Sequence, residues 1–341
     1  MTEGAKRKVN VALIGAGYIG HYHARGLREQ DGVEIKVVCD RKEDIAKEFA
    51  RHYEIPEVCT IALELAKRED LDAVVLGVPN KYHAGYAKVF LEFGKDVFIE
   101  KPMAVSAAEG REIIAASEKS GCLVMVGHMW RFDMEAEYIR DVVQSGRIGQ
   151  VVKTRGYGIH ENWGPSGWFI QKDLAGGGAL ADMGVHAIDT IRYILGDPKP
   201  AQVYARIGTY YGDYDVDDTG IIVITWDSGA TSVIESGWWH PHVEGPEAAS
   251  RIWAAKGYAS LFPTTVKTVD GEQVQKTAPP FPERQEHCDQ VIYTRQMAHF
   301  VDCVRRRKQP TPGLAEGQVV LEIVDAAYES ARTGQAVTLA D

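Results

Sequence analysis

Three groups of residues in this 341-residue chain have the types and spacing to do chemistry. The first is Gly15-x-Gly17-x-x-Gly20, which follows the apolar run Val9 to Ile14 and opens a helical pattern over Tyr18 to Arg28. A second apolar run, Val33 to Cys39, ends on Asp40, 20 residues beyond Gly20. Strand, glycine turn, helix, strand and acid together make a dinucleotide site. Glycines let the backbone turn tightly and approach a pyrophosphate, and the helix N-terminus offers N–H groups and a positive dipole end to it. Asp40 is placed for the ribose 2′-hydroxyl, which favours NAD over NADP; Arg41 beside it softens that exclusion. The second group is Glu100-Lys101-Pro102, a lysine at a strand exit, where it either meets a substrate hydroxyl or is an ordinary solvated residue. The third is Asp182, His186, Asp189 and Tyr193, one stripe of a helix over 179–195. A carboxylate one turn from an imidazole favours the imidazolium and fixes its tautomer, which suits a histidine that takes a hydroxyl proton. Taken alone, the stripe is also consistent with a solvated helix face carrying one His–Asp contact.

The elements that must hold these groups follow from the hydrophobic pattern. From Val9 to His128 strand patterns at 9–14, 33–39, 71–77, 95–99 and 122–127 alternate with helical ones at 18–30, 42–52, 60–68, 82–93 and 106–120. That alternation predicts right-handed βαβ units in a doubly wound parallel sheet, an α/β Rossmann domain over 1–130. Ligands of such sheets lie at the carboxyl ends of the strands. The loops after strands are Gly15–Gly20, Asp40–Arg41, Gly77–His83, Glu100–Met103 and Gly127–Phe132. Cofactor contacts are therefore expected from Gly15, Gly17, Tyr18, Ile19, Gly20, Asp40, Arg41, Val78, Pro79, Asn80, His83, Glu100, Lys101, Pro102 and Arg131.

After residue 130 the pattern changes. A helix at 134–145, a strand at 150–159, an irregular Gly- and Trp-rich stretch at 161–178 and the helix 179–195 lead into hairpin-forming runs at 201–208, 219–226, 230–238 and 250–256. Helices at 286–307 and 315–333 close the chain. This predicts an α+β second domain over 131–341 with a large open, mainly antiparallel sheet; the C-terminal helix 315–333 is a candidate to pack back on the first domain. Residues 263–282 read as a proline-containing surface excursion. Gly176-Gly177-Gly178 permits close backbone approach by a ligand or another chain.

Composition narrows the function classes. Hydrophobic content of 45% and charged content of 25% are those of a soluble globular protein. The net charge of −10 and a single basic run, Arg305 to Lys308, argue against nucleic acid. No apolar run approaches a membrane span, and the N-terminus lacks an h-region, so a membrane partner is not expected. Five widely spaced cysteines without a CxxC fit a reducing, cytoplasmic setting rather than a disulfide framework or a zinc–thiolate site. The His21/His23 and His240/His242 pairs lack a further ligand at metal spacing, so no metal is expected.

Several stretches, taken in chain order, carry a resemblance: GAGYIG at 15–20, VPNKYH at 78–83, FGKDVFIEKP at 93–102, GHMWRFD at 127–133, GGGALADMGVHAID at 176–189 and AAYESARTGQAV at 326–337. In these the chain resembles the glucose–fructose oxidoreductase / inositol dehydrogenase / rhizopine catabolism (Gfo/Idh/MocA) family. The resemblance implies a Rossmann domain followed by an open-sheet domain used for dimer or tetramer assembly. It implies NAD(P)-dependent oxidation or reduction of a sugar or cyclitol, and a catalytic lysine, aspartate and histidine, here Lys101, Asp182 and His186.

The same resemblance places a substrate pocket on Lys101, Met129, Trp130, His160, Asn162, Trp163, Trp168, Asp182 and His186. Trp130 and Glu161 stand where inositol dehydrogenases carry arginines, which points away from myo-inositol and towards a neutral ring with one apolar face, since an indole offers a flat π surface to C–H groups. These tryptophans are equally consistent with core or interface packing. Three function classes follow: a dehydrogenase of a secondary hydroxyl; an NAD-using glycosidase, for which Asp189 or Tyr193 would have to expel the leaving alcohol; and a non-catalytic dinucleotide sensor, which should lack the lysine–aspartate–histidine set.

Overall fold

The computed structural model describes residues 7–270, 273–278 and 289–339. They divide into two compact units. The first comprises the described residues of Met1–Ala104, Ala108–Met129 and Cys288–Gln318; the second those of Val105–Ala107, Trp130–His287 and Val319–Asp341. The expected start of a helix at 286–288, and Cys288, lie outside the described residues.

In chain order the elements up to the boundary are β1 (Val9–Ile14), α1 (Tyr18–Arg28), β2 (Val33–Cys39), α2 (Glu43–Tyr53), β3 (Glu57–Cys59), β4 (Ala73–Leu76), α3 (His83–Glu92), β5 (Asp96–Ile99), α4 (Ala107–Ser120) and β6 (Val124–Val126). The six strands form one sheet in the order β3-β2-β1-β4-β5-β6, and every pairing is parallel. Strands such as Ala73–Leu76 are buried at every residue, as a sheet covered by helices on both faces requires. The order reverses at β1/β4, which is where such a fold binds ligands. Residues 62–67, expected as part of an α-helix, form a tight 3₁₀ turn instead. The short β3 was too brief to show in the pattern.

The chain continues through α5 (Met134–Gln144), β7 (Val151–Glu161), α6 (Lys172–Ala175), α7 (Val185–Ile194), β8 (Pro200–Gly208), β9 (Thr219–Trp226), β10 (Thr231–His240), β11 (Ala248–Ala254), β12 (Gly257–Leu261), β13 (Thr265–Asp270), β14 (Gln273–Thr277), α8 (Gln290–Arg306), α9 (Leu314–Thr333) and β15 (Val337–Thr338). Nine of these strands make one sheet, β14-β13-β12-β11-β7-β10-β9-β8-β15, antiparallel except for the β7/β10 pair. One face of β9 and β10 packs on α7 and α9: Ile222, Ile224 and Ile234 meet Ile188, Ile191, Ile323 and Ala327 in a common core. The described part of 263–282 is not an excursion. Val266 to Asp270 and Gln273 to Thr277 pair as a hairpin that extends the sheet, because their alternating side chains suit an edge ladder. Residues 271, 272 and 279–282 of that stretch lie outside the described residues.

The helix that joins the first unit is α8. Its Met297 fills the space over Gly26 of α1, and Tyr293 packs on Tyr22 with ring centroids 4.6 Å apart. Of the helix expected at 315–333, the residues to Gln318 fall in the first unit and those from Val319 in the second, where Val320, Ile323 and Val324 enter the core.

Candidate active site

In the first unit the glycine turn is built for a close neighbour. Gly15 has φ +104°, and a Cβ there would sit 2.2 Å from the Gly77 carbonyl oxygen; a Cβ on Gly20 would meet the Gly15 oxygen at 2.5 Å. These two glycines close the turn onto the protein itself. At Gly17 a Cβ would meet nothing within 4 Å, so the open side lies there, at the N-cap of α1, where no side chain caps the helix. An open concave backbone at an uncapped helix N-terminus fits a pyrophosphate. Asp40 is held by backbone donors: the Ala16 N–H donates to its Oδ2 (3.1 Å) and the Lys42 N–H to its Oδ1 (2.9 Å). Tyr18 is exposed on the first turn of the helix, Ile19 packs against Gly77, and Arg41 is exposed beside Asp40.

The loops after β4 and β5 are joined by His83, whose ring nitrogens lie 2.8 Å from the carbonyl oxygens of Pro102 and Val78. Full burial pushes His83 below its ordinary value, against the pull of those carbonyls and of Glu100. Glu100 is buried, with Oε1 2.8 Å from His23 Nε2, and its Oε2 accepts the Lys101 N–H at 3.1 Å. Gly127 leaves no room for a side chain against that carboxylate. The backbone carrying Lys101 is thus pinned by His83 and by Glu100, while Lys101 itself is half-buried rather than fully solvated. Asn80 is buried, and Val78 and Pro79 line the same loop. Met129, at the end of this unit, is buried.

In the second unit the third group is not one regular stripe. Leu180 to Gly184 form a π-turn ahead of α7, a feature that re-aims side chains and often marks functional sites. The three glycines explain how the turn is held. A Cβ on Gly178 would stand 1.8 Å from the Asp217 carbonyl oxygen, on Gly177 2.1 Å from Tyr328 Oη, and on Gly176 2.7 Å from Val105. The close approach is therefore made by this chain's own residues, which corrects the expectation of a ligand or another chain there. The buried Asp217 carboxylate accepts from Gly178 N–H (2.8 Å), Leu180 N–H (2.8 Å) and Tyr328 Oη–H (2.6 Å).

Asp182 accepts a hydrogen bond from Trp238 Nε1 (3.1 Å), and its Oδ2 lies 3.9 Å from His160 Nε2. His186 is buried with its ring 5.0 Å from that of Trp130. His160 stacks on Trp163 (centroids 3.6 Å, 27° between planes). So Asp182, His160 and Trp163 form one connected group, and Trp130 and His186 another, both anchored on the π-turn and α7. Asn162 adopts a positive φ (57°) and its N–H donates to the His240 carbonyl, which shapes the strand end carrying His160. Trp168 stacks on Phe169 in a separate turn.

Arg131, expected as a cofactor contact, makes its strong side-chain contacts with two carboxylates. It is buried, and its guanidinium grips Asp189 (2.7–3.0 Å) and Asp197 (2.7 and 3.0 Å) on both sides, a structural clamp on α7. Asp189 is thereby committed to Arg131. Tyr193 accepts from Arg140, and burial pushes its hydroxyl up to about 12. Both residues expected to serve the glycosidase reading thus have arginine partners of their own. Trp238 and Glu247, both polar partners of the site, carry no local spacing that marks them in the sequence; they come from β10 and from the segment that follows it.

Comparison with known proteins bears on this geometry. A model described as "Oxidoreductase family, NAD-binding Rossmann fold" matches residues 9–128. Two C-terminal models, "GFO/IDH/MocA C-terminal domain" and "Oxidoreductase family, C-terminal alpha/beta domain", match 136–260 and 260–339. The D-xylose 1-dehydrogenase (NADP(+)) 2 of Haloferax volcanii is 30% identical, with 90% of this chain and 92% of that protein covered. The chain belongs to the Gfo/Idh/MocA oxidoreductase family. Among relatives of this family, the scyllo-inositol 2-dehydrogenase (NAD(+)) of Bacillus subtilis is 28% identical over 98% of this chain and 97% of its own. The crystal structure of an oxidoreductase domain protein from Kribbella flavida superposes with a TM-score of 0.90 over 98% of this chain and all of that one; at 24% identity it speaks for the fold alone. Among the described residues no helix is long and apolar enough to cross a membrane.

Proposed function

We propose that this family member is an NAD-dependent dehydrogenase that oxidises a secondary hydroxyl of a sugar or cyclitol to a ketone. The observation that carries the reading is the group on the π-turn: a carboxylate, Asp182, oriented by an indole N–H and facing His160, with His186 beginning the helix behind it. A bound nicotinamide cofactor supplies the hydride acceptor. His186 accepts the proton of the substrate hydroxyl, and Asp182 orients the sugar and the base. Lys101 hydrogen-bonds the reacting oxygen and stabilises the charge that develops on it, a contribution made mainly in the transition state. Trp163, half exposed with one face on His160, offers a flat apolar surface to the C–H face of a ring, and the buried Trp130 backs His186.

A carboxylate at the end of the second strand repels a 2′-phosphate, so Asp40, held there by two backbone N–H groups, supports a preference for NAD. The NADP(+) named for the Haloferax volcanii relative marks the alternative within the family. We further propose that the protein works as a homodimer or homotetramer through the open face of its nine-stranded sheet, where Ile221 is half exposed beside Tyr204, Val223 and Val233.

A panel of free sugars, cyclitols and aryl glycosides with NAD, followed by formation of reduced nicotinamide and by release of phenol, tests the reading. Reduced nicotinamide with at least one sugar or cyclitol is the expected result. Phenol release from aryl glycosides without net reduction would overturn it.

A further inference from the structure

Glu247, in the segment between β10 and β11, ties together the stretch that carries His160. Its Oε2 lies 3.1 Å from His160 Nδ1. Its Oε1 accepts the Glu161 N–H (3.0 Å) and the Trp163 Nε1–H. Its backbone carbonyl accepts the Ile159 N–H at 2.8 Å. An ionised carboxylate only accepts, so at His160 the proton sits on Nδ1. In the neutral ring Nε2 then carries the lone pair. Nε2 looks towards Asp182 Oδ2 across 3.9 Å, too far for a direct hydrogen bond. Trp163, stacked flat on the imidazole and itself anchored on Glu247, covers one face of the ring and opposes a flip. Nε2 is therefore an acceptor beside a carboxylate, and the group that suits it is one with a proton to donate.

We infer that Glu247 is a positioning residue of the substrate pocket: it holds His160 in the Nδ1–H tautomer so that Nε2 accepts a hydrogen bond from a free hydroxyl next to the carbon addressed by Asp182 and His186. This rests on the dehydrogenase reading above and deepens it. The substrate class is a polyol with adjacent free hydroxyls; a methoxy or fluoro group at the neighbouring carbon presents no proton and is disfavoured.

Glu247→Gln is the informative variant. Its single acceptor oxygen stays with the two donors Trp163 Nε1–H and Glu161 N–H, which leaves the amide NH₂ facing Nδ1. The imidazole proton then moves to Nε2, and the acceptor becomes a donor. Long-range ¹H–¹⁵N spectra of the imidazoles, with the His160 signal assigned through His160→Asn, should show Nδ1–H in the parent and Nε2–H in Glu247→Gln. With the best substrate of the panel, KM should rise roughly tenfold, the size of one lost neutral hydrogen bond. The preference for hydroxyl over methoxy at the neighbouring carbon should shrink or reverse, while kcat changes little and NAD affinity not at all. A merely structural Glu247 would not move that preference. An Nε2–H tautomer in the parent overturns the inference, and so does a variant with unchanged tautomer and unchanged preference. The spectra need no turnover, so failure of the dehydrogenase reading and failure of this one are told apart.

Discussion

At the scale of single residues, the proposed chemistry separates cleanly from cofactor binding. Lys101 and His186 lie outside the glycine turn in sequence. Removing a positioned acid–base group costs about 10²–10⁴-fold in rate. Lys101→Ala and His186→Ala should therefore lose turnover on that scale while fluorescence titration gives parental NAD affinity. Near-parental turnover by Lys101→Ala would return that lysine to a plain loop role. Asp40 makes the complementary prediction. Its two oxygens are held by backbone N–H groups, so Asp40→Ser should remove the charge without moving the loop far. The ratio of kcat/KM for NAD over NADP should fall, and tighter binding of NADP than NAD by the parent would contradict the assignment.

At the scale of elements, the π-turn and the His83 bridge are the parts under most constraint. Gly178 lies against the Asp217 backbone so closely that Gly178→Ala must displace one of them. Overpacking of this kind costs about 1–3 kcal/mol, which should appear as a lower melting temperature together with lost turnover, because the same turn aims Asp182. Tyr328→Phe, which removes one donor from Asp217, should cost about 0.5–1.5 kcal/mol. His83 predicts a pH effect. Burial holds its folded value below the ordinary 6.5, so the unfolded chain takes up the proton more readily. The stability contributed by neutral His83 is full above pH 6.5 and is lost as pH falls from 6.5 through the folded value. Burial lowers His21, His240 and His299 in the same direction. The melting temperature should thus drop on acidification through that window, and less steeply in His83→Gln; equal slopes for the two proteins would refute the assignment to His83.

At the scale of the whole molecule, the nine-stranded sheet poses the question of cover. One face is closed by α7 and α9. The other carries Tyr204, Ile221, Val223 and Val233 beside the Arg155–Glu235 ion pair. A face that mixes these apolar side chains with paired charges suits an interface between copies. Light scattering at micromolar concentration should give a multiple of 37.7 kDa, and Ile221→Asp should shift it towards the monomer. A parental mass of 37.7 kDa would contradict the proposal.

The amino-acid sequence by itself determined the parts governed by short-range rules. The parallel sheet followed from apolar runs alternating with helical periodicity, and the dinucleotide turn from glycines whose roles depend on backbone geometry a few residues away. The helix holding Asp182 and His186 was legible for the same reason. Its π-turn was not, because that turn exists to satisfy Asp217 and Tyr328, which lie far off in the chain. Arg131 read as a cofactor contact from its loop, yet the fold brings Asp189 and Asp197 around it, and a buried guanidinium goes to the carboxylates that neutralise it. The hairpin β13–β14 was hidden because prolines on either side of it in the sequence suggested a surface excursion, and pairing with β12 decided otherwise. Trp238 and Glu247 became visible only when strands distant in sequence were laid side by side. Which carboxylate holds which histidine is a long-range fact, set by sheet register and not by local spacing.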